Sequence, residues 1–86
     1  MIEMLELEAS VYEALCEWCL KGTPEERCGL LSGSRNGATG RVQRMYPIAN
    51  VAPEPWHRFR MAPVEQKRAY DRMRASGETW VGLFHS

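Results

Sequence analysis

The sequence predicts a small mixed α/β (α+β) domain with its elements in the order β-α-β-β-β-α-β. Three observations carry that expectation. Two segments, Ser10 to about Leu20 and Pro63 to about Ala75, space their apolar residues as helices do and carry start and stop signals. Several short stretches between and around them alternate or bunch apolar residues as strands do. The 86 residues contain no repeat or linker, and that length makes one small domain at most.

Met4 to Glu8 alternates apolar and acidic residues, which fits a short strand with one wet face. Ser10-Val11-Tyr12-Glu13 reads as a capping box, with the Ser10 hydroxyl accepting from the Glu13 N–H and the Glu13 carboxylate returning to Ser10. Val11, Leu15 and Trp18 then form the buried stripe of the first helix, and Gly22 with Pro24 closes it. Cys28 to Leu31 is a compact apolar run, expected as a core strand. Ser32 to Gly40 holds three glycines and an asparagine and reads as a turn or hairpin loop. Arg41 to Ile48 reads as a half-buried strand, with Val42, Tyr46 and Ile48 on one face. Ala49 to Pro55 is a loop, and Trp56 to Met61 alternates as another short strand would. Pro63 suits the first turn of a second helix, with Ala69, Tyr70 and Met73 facing the core and Ser76-Gly77 ending it. Glu78 to Phe84 is the final strand.

Composition narrows the function classes. The formal net charge is zero, which argues against a nucleic-acid binder driven by bulk charge. Basic residues do crowd the second half (Arg58, Arg60, Lys67, Arg68, Arg72 and Arg74 among them), and solvated helix and strand faces account for them. No run of about 18 apolar residues offers a membrane span. Met1-Ile2-Glu3 lacks the basic start of a signal peptide. Three cysteines, an odd number, make no disulfide framework, and a reducing cytoplasm is the expected compartment.

Three features carry candidate chemistry. Cys16-Glu17-Trp18-Cys19 matches Cys-x-x-Cys, but it sits near a helix C-terminus, where the dipole disfavours a thiolate. Half-buried core thiols, a metal site with Cys28, His57 or His85, and redox chemistry are the readings open there. Glu25-Glu26 lies between a helix end and an apolar strand. Such carboxylates are commonly solvated, but one held in a partly desolvated cleft becomes a useful general base. Trp80 to Ser86 is an apolar strand that delivers a histidine and a serine at its end, a common way to present a metal ligand or an acid/base group.

Taken together, Pro24-x-Glu26-x-Cys28-Gly29-Leu30-Leu31-x-Gly33, a strand, an Asn50 loop, a helix and then Val81-Gly82-x-Phe84-His85-Ser86 resemble the JAMM (MPN-plus) zinc metallopeptidases, especially their small bacterial members. The resemblance runs from the first helix to Ser86. It implies a cytidine-deaminase-like sheet flanked by helices. It also implies a zinc ion held by two histidines of a His-x-His motif and an aspartate, with a water in the fourth position and an upstream glutamate as general base. Carried over, Glu26 matches the base, His85 matches the first zinc ligand, and Ser86 matches the spacer between the two histidines. Side chains at i and i+2 of an extended segment share a side, so His-x-His can put two imidazoles on one metal. Zinc then lowers the pKa of its water and the glutamate takes the proton.

The motif stops at Ser86, before the second histidine, the aspartate and a later serine. The resemblance therefore implies that residues 1–86 form a single incomplete domain, the N-terminal part of the JAMM fold, inactive alone: one imidazole cannot hold a catalytic zinc. The implied function is hydrolysis of an amide bond at the C-terminus of a ubiquitin-like or sulfur-carrier protein. The alternative is a non-catalytic MPN-type scaffold that has lost its ligands. An uncovered last strand would leave an apolar sheet edge open to dimerisation.

Overall fold

The computed structural model describes residues 2–86; Met1, part of the signal-peptide reading, lies outside them. Six elements follow one another: β1 (Met4–Leu7), α1 (Ala9–Gly22), β2 (Cys28–Asn36), β3 (Thr39–Ile48), α2 (Pro63–Ala75) and β4 (Thr79–His85). The strands form one sheet in the order β1-β3-β2-β4. β1 runs parallel to β3, and β2 runs antiparallel to both β3 and β4. None of the helices is long and apolar enough to cross a membrane.

The sheet separates two apolar clusters. Leu30, Tyr46, Ile48, Ala69 and Met73 pack with Cys28 under α2. Val11, Leu31, Val42, Val81 and Phe84 pack together with Leu15 and Trp18 of α1. Leu30, Val42 and Ile48 are almost fully buried, each worth about 1.5–3 kcal/mol relative to exposure. The apolar residues of β1 gain less, because Met4, Leu5 and Leu7 all remain exposed on an outer strand.

Val42 does not share a face with Tyr46 and Ile48 as the alternation predicts. The β2–β3 register shifts between Ser32 and Gly33, so that Ser32 pairs with Arg44 but Gly33 pairs with Val42. The extra residue, Gln43, reverses the side-chain alternation and sends Val42 to the α1 side. β4 does the same beside it: Leu31 pairs with Gly82 and Ser32 with Trp80, leaving Val81 as the extra residue. Paired bulges on both neighbours of Ser32 bend the sheet there. Gly33 is part of the same device, since a Cβ at this position would run into the Arg41 carbonyl.

Four other expectations are corrected. α1 begins at Ala9, with Glu8 as N-cap and no side-chain cap bond, so Ser10 and Glu13 form no capping box. The Glu8 N–H is bonded to Val42 O of the sheet at 3.4 Å, and the chain turns into the helix directly from that contact. α1 also runs on to Gly22, past the expected end at Leu20. β2 continues to Asn36, so the hairpin turn shrinks to Gly37 and Ala38, with Gly37 at φ 60°. Trp56 to Met61 is not a strand: only Met61 makes a bridge, to Asn50, and the order becomes β-α-β-β-α-β. Its backbone is drawn into turns instead, with the N–H groups of His57 and Arg58 bonding to Glu54 O.

Glu78, just ahead of β4, fastens the strands together. Its Oε1 accepts from Ser32 Oγ and from the Tyr46 hydroxyl, each at 2.8 Å, and its Oε2 lies 3.3 Å from Arg44 Nε. Partial burial pushes the Glu78 carboxyl up, but the Tyr46 and Ser32 hydrogen bonds and the Arg44 charge outweigh it, and the net shift is downward. A lowered native pKa means that this stabilisation is complete above the ordinary glutamate value of 4.5 and fades as pH falls through the native value. Glu78→Ala is expected to cost roughly 2–3 kcal/mol at neutral pH, because it strands two hydroxyl donors. Urea unfolding of both proteins at pH 7 and pH 3 checks this: the gap should narrow at the lower pH, and a gap that stays constant would assign the effect to packing.

Candidate functional site

The register of β2 and β4 builds the site. Cys28 pairs with His85, so their side chains share the α2 side of the sheet. Glu26 lies two residues upstream of Cys28 in extended chain and points to that side as well. The result is direct contact: His85 Nδ1 lies 3.3 Å from Glu26 Oε1. The Glu26 side chain is 20% exposed and that of His85 51%, so the pair has one sheltered and one open member. The two residues singled out from the sequence are thus brought together across 59 positions of chain.

Ser86, the predicted spacer, holds the strand end in place. Its hydroxyl accepts from the Arg27 N–H and its own N–H donates to Arg27 O, each at 2.9 Å. This two-bond latch carries the β2–β4 pairing one residue past His85. On the α1 side, Trp18 Nε1 donates to Cys28 O at 3.1 Å, and the Arg27 guanidinium lies 4.0 Å from the Trp18 ring. Gly29, between Cys28 and Leu30, has no room for a side chain: a Cβ would meet the Tyr46 carbonyl and the Phe84 ring.

The loop after β3 forms the opposite wall. Asn50 Nδ2 donates to Glu26 O at 2.8 Å and Pro55 O accepts from the Glu26 N–H at 2.6 Å. Phe59 stacks on His85, with centroids 4.4 Å apart and ring planes inclined by 17°. An open groove of about 460 Å³ runs from Glu26 and Ser86 past Leu20 and Cys19 to Trp56 and His57. The sequence places Asn50 only in a loop and Phe59 only in an expected strand, and singles out neither for the site. The available signal was Asn50 ahead of two prolines, since an asparagine at such a place commonly bonds the backbone two residues on. Here Ala52 N–H does donate to Asn50 Oδ1, at 3.1 Å.

The other candidate ligands stay apart from this pair. His57 Nε2 is 2.7 Å from Glu54 Oε2 on the surface of the loop. Cys28 is buried, with its thiol 3.5 Å from Ile48 O. Burial first, then the nearby Glu65 and Cys19, push the Cys28 thiol up and keep it protonated. Cys16 and Cys19 are half-buried free thiols. A structural or catalytic zinc needs at least three protein donors, and among the described residues no group of three His, Cys, Asp or Glu side chains converges. Glu26 and His85 alone do not make a zinc centre.

The fold and this pair define a class. The chain belongs to the prokaryotic JAB family: the family described as prokaryotic homologs of the JAB domain (Prok-JAB) matches residues 8–86. Among individual relatives, the desampylase of Haloferax volcanii is 29% identical over 86 residues, covering 95% of this chain and 60% of its own length. A Desulfitobacterium hafniense protein with a known solution structure superposes with a TM-score of 0.87 at 36% identity, over 95% of this chain and 56% of that one. The mixed α+β architecture, a curved sheet flanked by two helices, is therefore that of the JAB/MPN fold. The chain spans little more than half the length of the relatives it matches.

A two-donor set predicts weak metal retention. The purified 86-residue chain, dialysed and assayed by elemental analysis, should carry close to zero zinc per chain. About one zinc per chain would mean that donors from a second copy or from the cysteines complete the site.

Proposed function

We propose that this chain supplies part of the active site of a JAMM-type deconjugase, which hydrolyses the amide bond at the C-terminus of a ubiquitin-like or sulfur-carrier protein. The observation that carries this reading is the Glu26–His85 contact at the strand ends of a Prok-JAB fold. The desampylase relative supports the substrate class, since its name denotes removal of a small ubiquitin-like modifier.

In this reading Glu26 is the general base and His85 is one zinc ligand. A zinc centre would need further donors beside His85. Glu26 is suited to its part by position. Its backbone is held on both sides, by Asn50 and Pro55, while its carboxylate is sheltered yet open toward the groove. There it takes the proton of a water whose oxygen bonds to the substrate carbonyl carbon. The C–N bond then breaks, and the same proton passes to the leaving amine. A carboxylate so restrained loses little freedom when the substrate arrives. The groove beside it, walled by Leu20 and Trp56, receives the extended tail that precedes the cut bond.

A scaffold role is the second reading; among the described residues no three metal-binding side chains converge. One experiment separates the two. A protein carrying these residues at the full length of its relatives is assayed on a ubiquitin-like protein fused through its C-terminus to a reporter. Glu26→Gln should lower kcat roughly 10²–10⁴-fold with metal content unchanged. Retained activity would remove Glu26 from the mechanism. Absence of hydrolysis by the unmutated protein, on sulfur-carrier as well as ubiquitin-like fusions, would leave the scaffold.

A further inference from the structure

The pairing of β2 with β4 brings Glu26 and His85 to one side of the sheet, but it does not fix how their side chains face each other. Glu26 precedes β2, and His85 closes β4 with about half of its side chain in solvent. An exposed imidazole on a strand end turns freely unless something packs against it. The segment from Asn50 to Met61 touches both residues, and its own form is set by one side chain.

Asn50 uses its whole hydrogen-bonding capacity there. Nδ2 donates to Glu26 O at 2.8 Å and to Arg58 O at 2.9 Å, while Oδ1 accepts from Ala52 N at 3.1 Å and from Arg60 N at 2.9 Å. Two carbonyls on one side of the amide and two N–H groups on the other leave no second way to orient it. The bonds tie the loop's start to its far limb at Arg58 and Arg60, and tie both to the backbone of Glu26. Phe59 stands between those two anchored residues, and its ring is thereby delivered onto His85 at 4.4 Å. The far limb is closed by further bonds, Val51 N–H to Arg60 O at 2.9 Å and Ala62 N–H to Ala49 O at 3.0 Å.

We propose that Asn50 and Phe59 are positioning residues for the Glu26–His85 pair: Asn50 sets the Glu26 backbone and the loop, and Phe59 fixes the plane of the His85 ring. The value of this device for catalysis rests on the reading of Glu26 and His85 as the functional pair; its geometry does not. Neither residue needs to touch substrate. A carboxylate would not substitute for the Asn50 amide, because it would set oxygen against the carbonyls of Glu26 and Arg58.

Proton NMR of the 86-residue chain tests the device without any activity assay. The chain has two histidines, so His57→Gln assigns the His85 ring signals. In the parent protein those signals should be shifted upfield by the stacked Phe59 ring and should show cross-relaxation to the Glu26 side chain. Phe59→Leu should return them to the position of free histidine, and Phe59→Tyr should restore the parent shift. Asn50→Ala and Asn50→Asp should lose both the upfield shift and the Glu26 contact, while the Tyr46 and Ser32 signals around Glu78 stay in place. Unmoved His85 signals in a folded Asn50→Ala or in Phe59→Leu would overturn the proposal. If the Asn50 variants do not fold, the Phe59 pair decides alone. In a protein carrying these residues at the length of its relatives, and active on the fusion substrate, Asn50→Ala should lower kcat by up to about 100-fold with KM little changed. That loss accompanied by a parent-like His85 spectrum would also count against positioning, whereas the NMR changes without any hydrolysis in the parent would indict only the catalytic reading.

Discussion

The pairing of Cys28 with His85 across β2 and β4 is the constraint on which the site depends. It brings a residue from before β2 against one from the end of β4, and a shift of one residue would carry His85 to the α1 face, away from Glu26. β2 is well placed to hold this register, because it is the strand with antiparallel neighbours on both sides. Fixed points guard the register along β4. Glu78 grips Ser32 and Tyr46 near its beginning, and Ser86 latches to Arg27 at its end. Between them the bulge at Val81 gives Val81 and Phe84 to one core and leaves His85 on the opposite side. Without that extra residue, either the apolar contacts beneath α1 or the histidine would be misdirected.

Much of this was legible in the sequence, for identifiable reasons. The second helix, from Pro63 to Ala75, was readable because proline at its first turn and Ser76-Gly77 at its end are local signals that tertiary contacts do not override. The apolar run from Cys28 to Leu31 was readable because burial on both faces leaves a continuous apolar record, and the strand ending at His85 because its residues are apolar even where, as at Trp80 and Leu83, they stay exposed. The motif residues Glu26 and His85 were legible as a pair only through the family pattern, since no spacing rule links positions so far apart. Bulges were not legible. Gln43 and Val81 look like ordinary members of alternating strands, and their effect appears only when a neighbour sets the register. The Trp56-to-Met61 stretch failed for a related reason. Its alternation is real, but its N–H and C=O groups find partners in Asn50 and Glu54 before any strand can offer them.

The Asn50 loop shows how a small domain can build a rigid wall from irregular chain. Every polar backbone group in a buried turn needs a partner, and a helix or sheet normally provides it. Asn50 provides four such partnerships from one side chain. The arrangement places Pro55 and Phe59 against the Glu26–His85 pair, while Trp56 and His57 line the groove beside it. Apolar packing contributes as well: Phe59 and Met61 lie against the cluster beneath α2. The loop is therefore part of the core on one side and part of the site on the other.

This division of labour bears on what the chain does. The sheet fixes where Glu26 and His85 start, the loop fixes how they face each other, and neither supplies a third metal donor among the described residues. The Glu26 carboxylate is sheltered, its backbone is held by Asn50 and Pro55, and it faces an imidazole stacked on Phe59. Burying a carboxylate to that degree costs free energy unless a charged or hydrogen-bonding partner offsets it, and here the partner is the histidine itself. Glu78 is the contrast within the same sheet: its carboxylate is taken up by Ser32, Tyr46 and Arg44, contacts that tie the strands together. The two acidic residues differ in what surrounds them: Glu78 meets three fixed partners, and Glu26 lines the open groove beside a single imidazole.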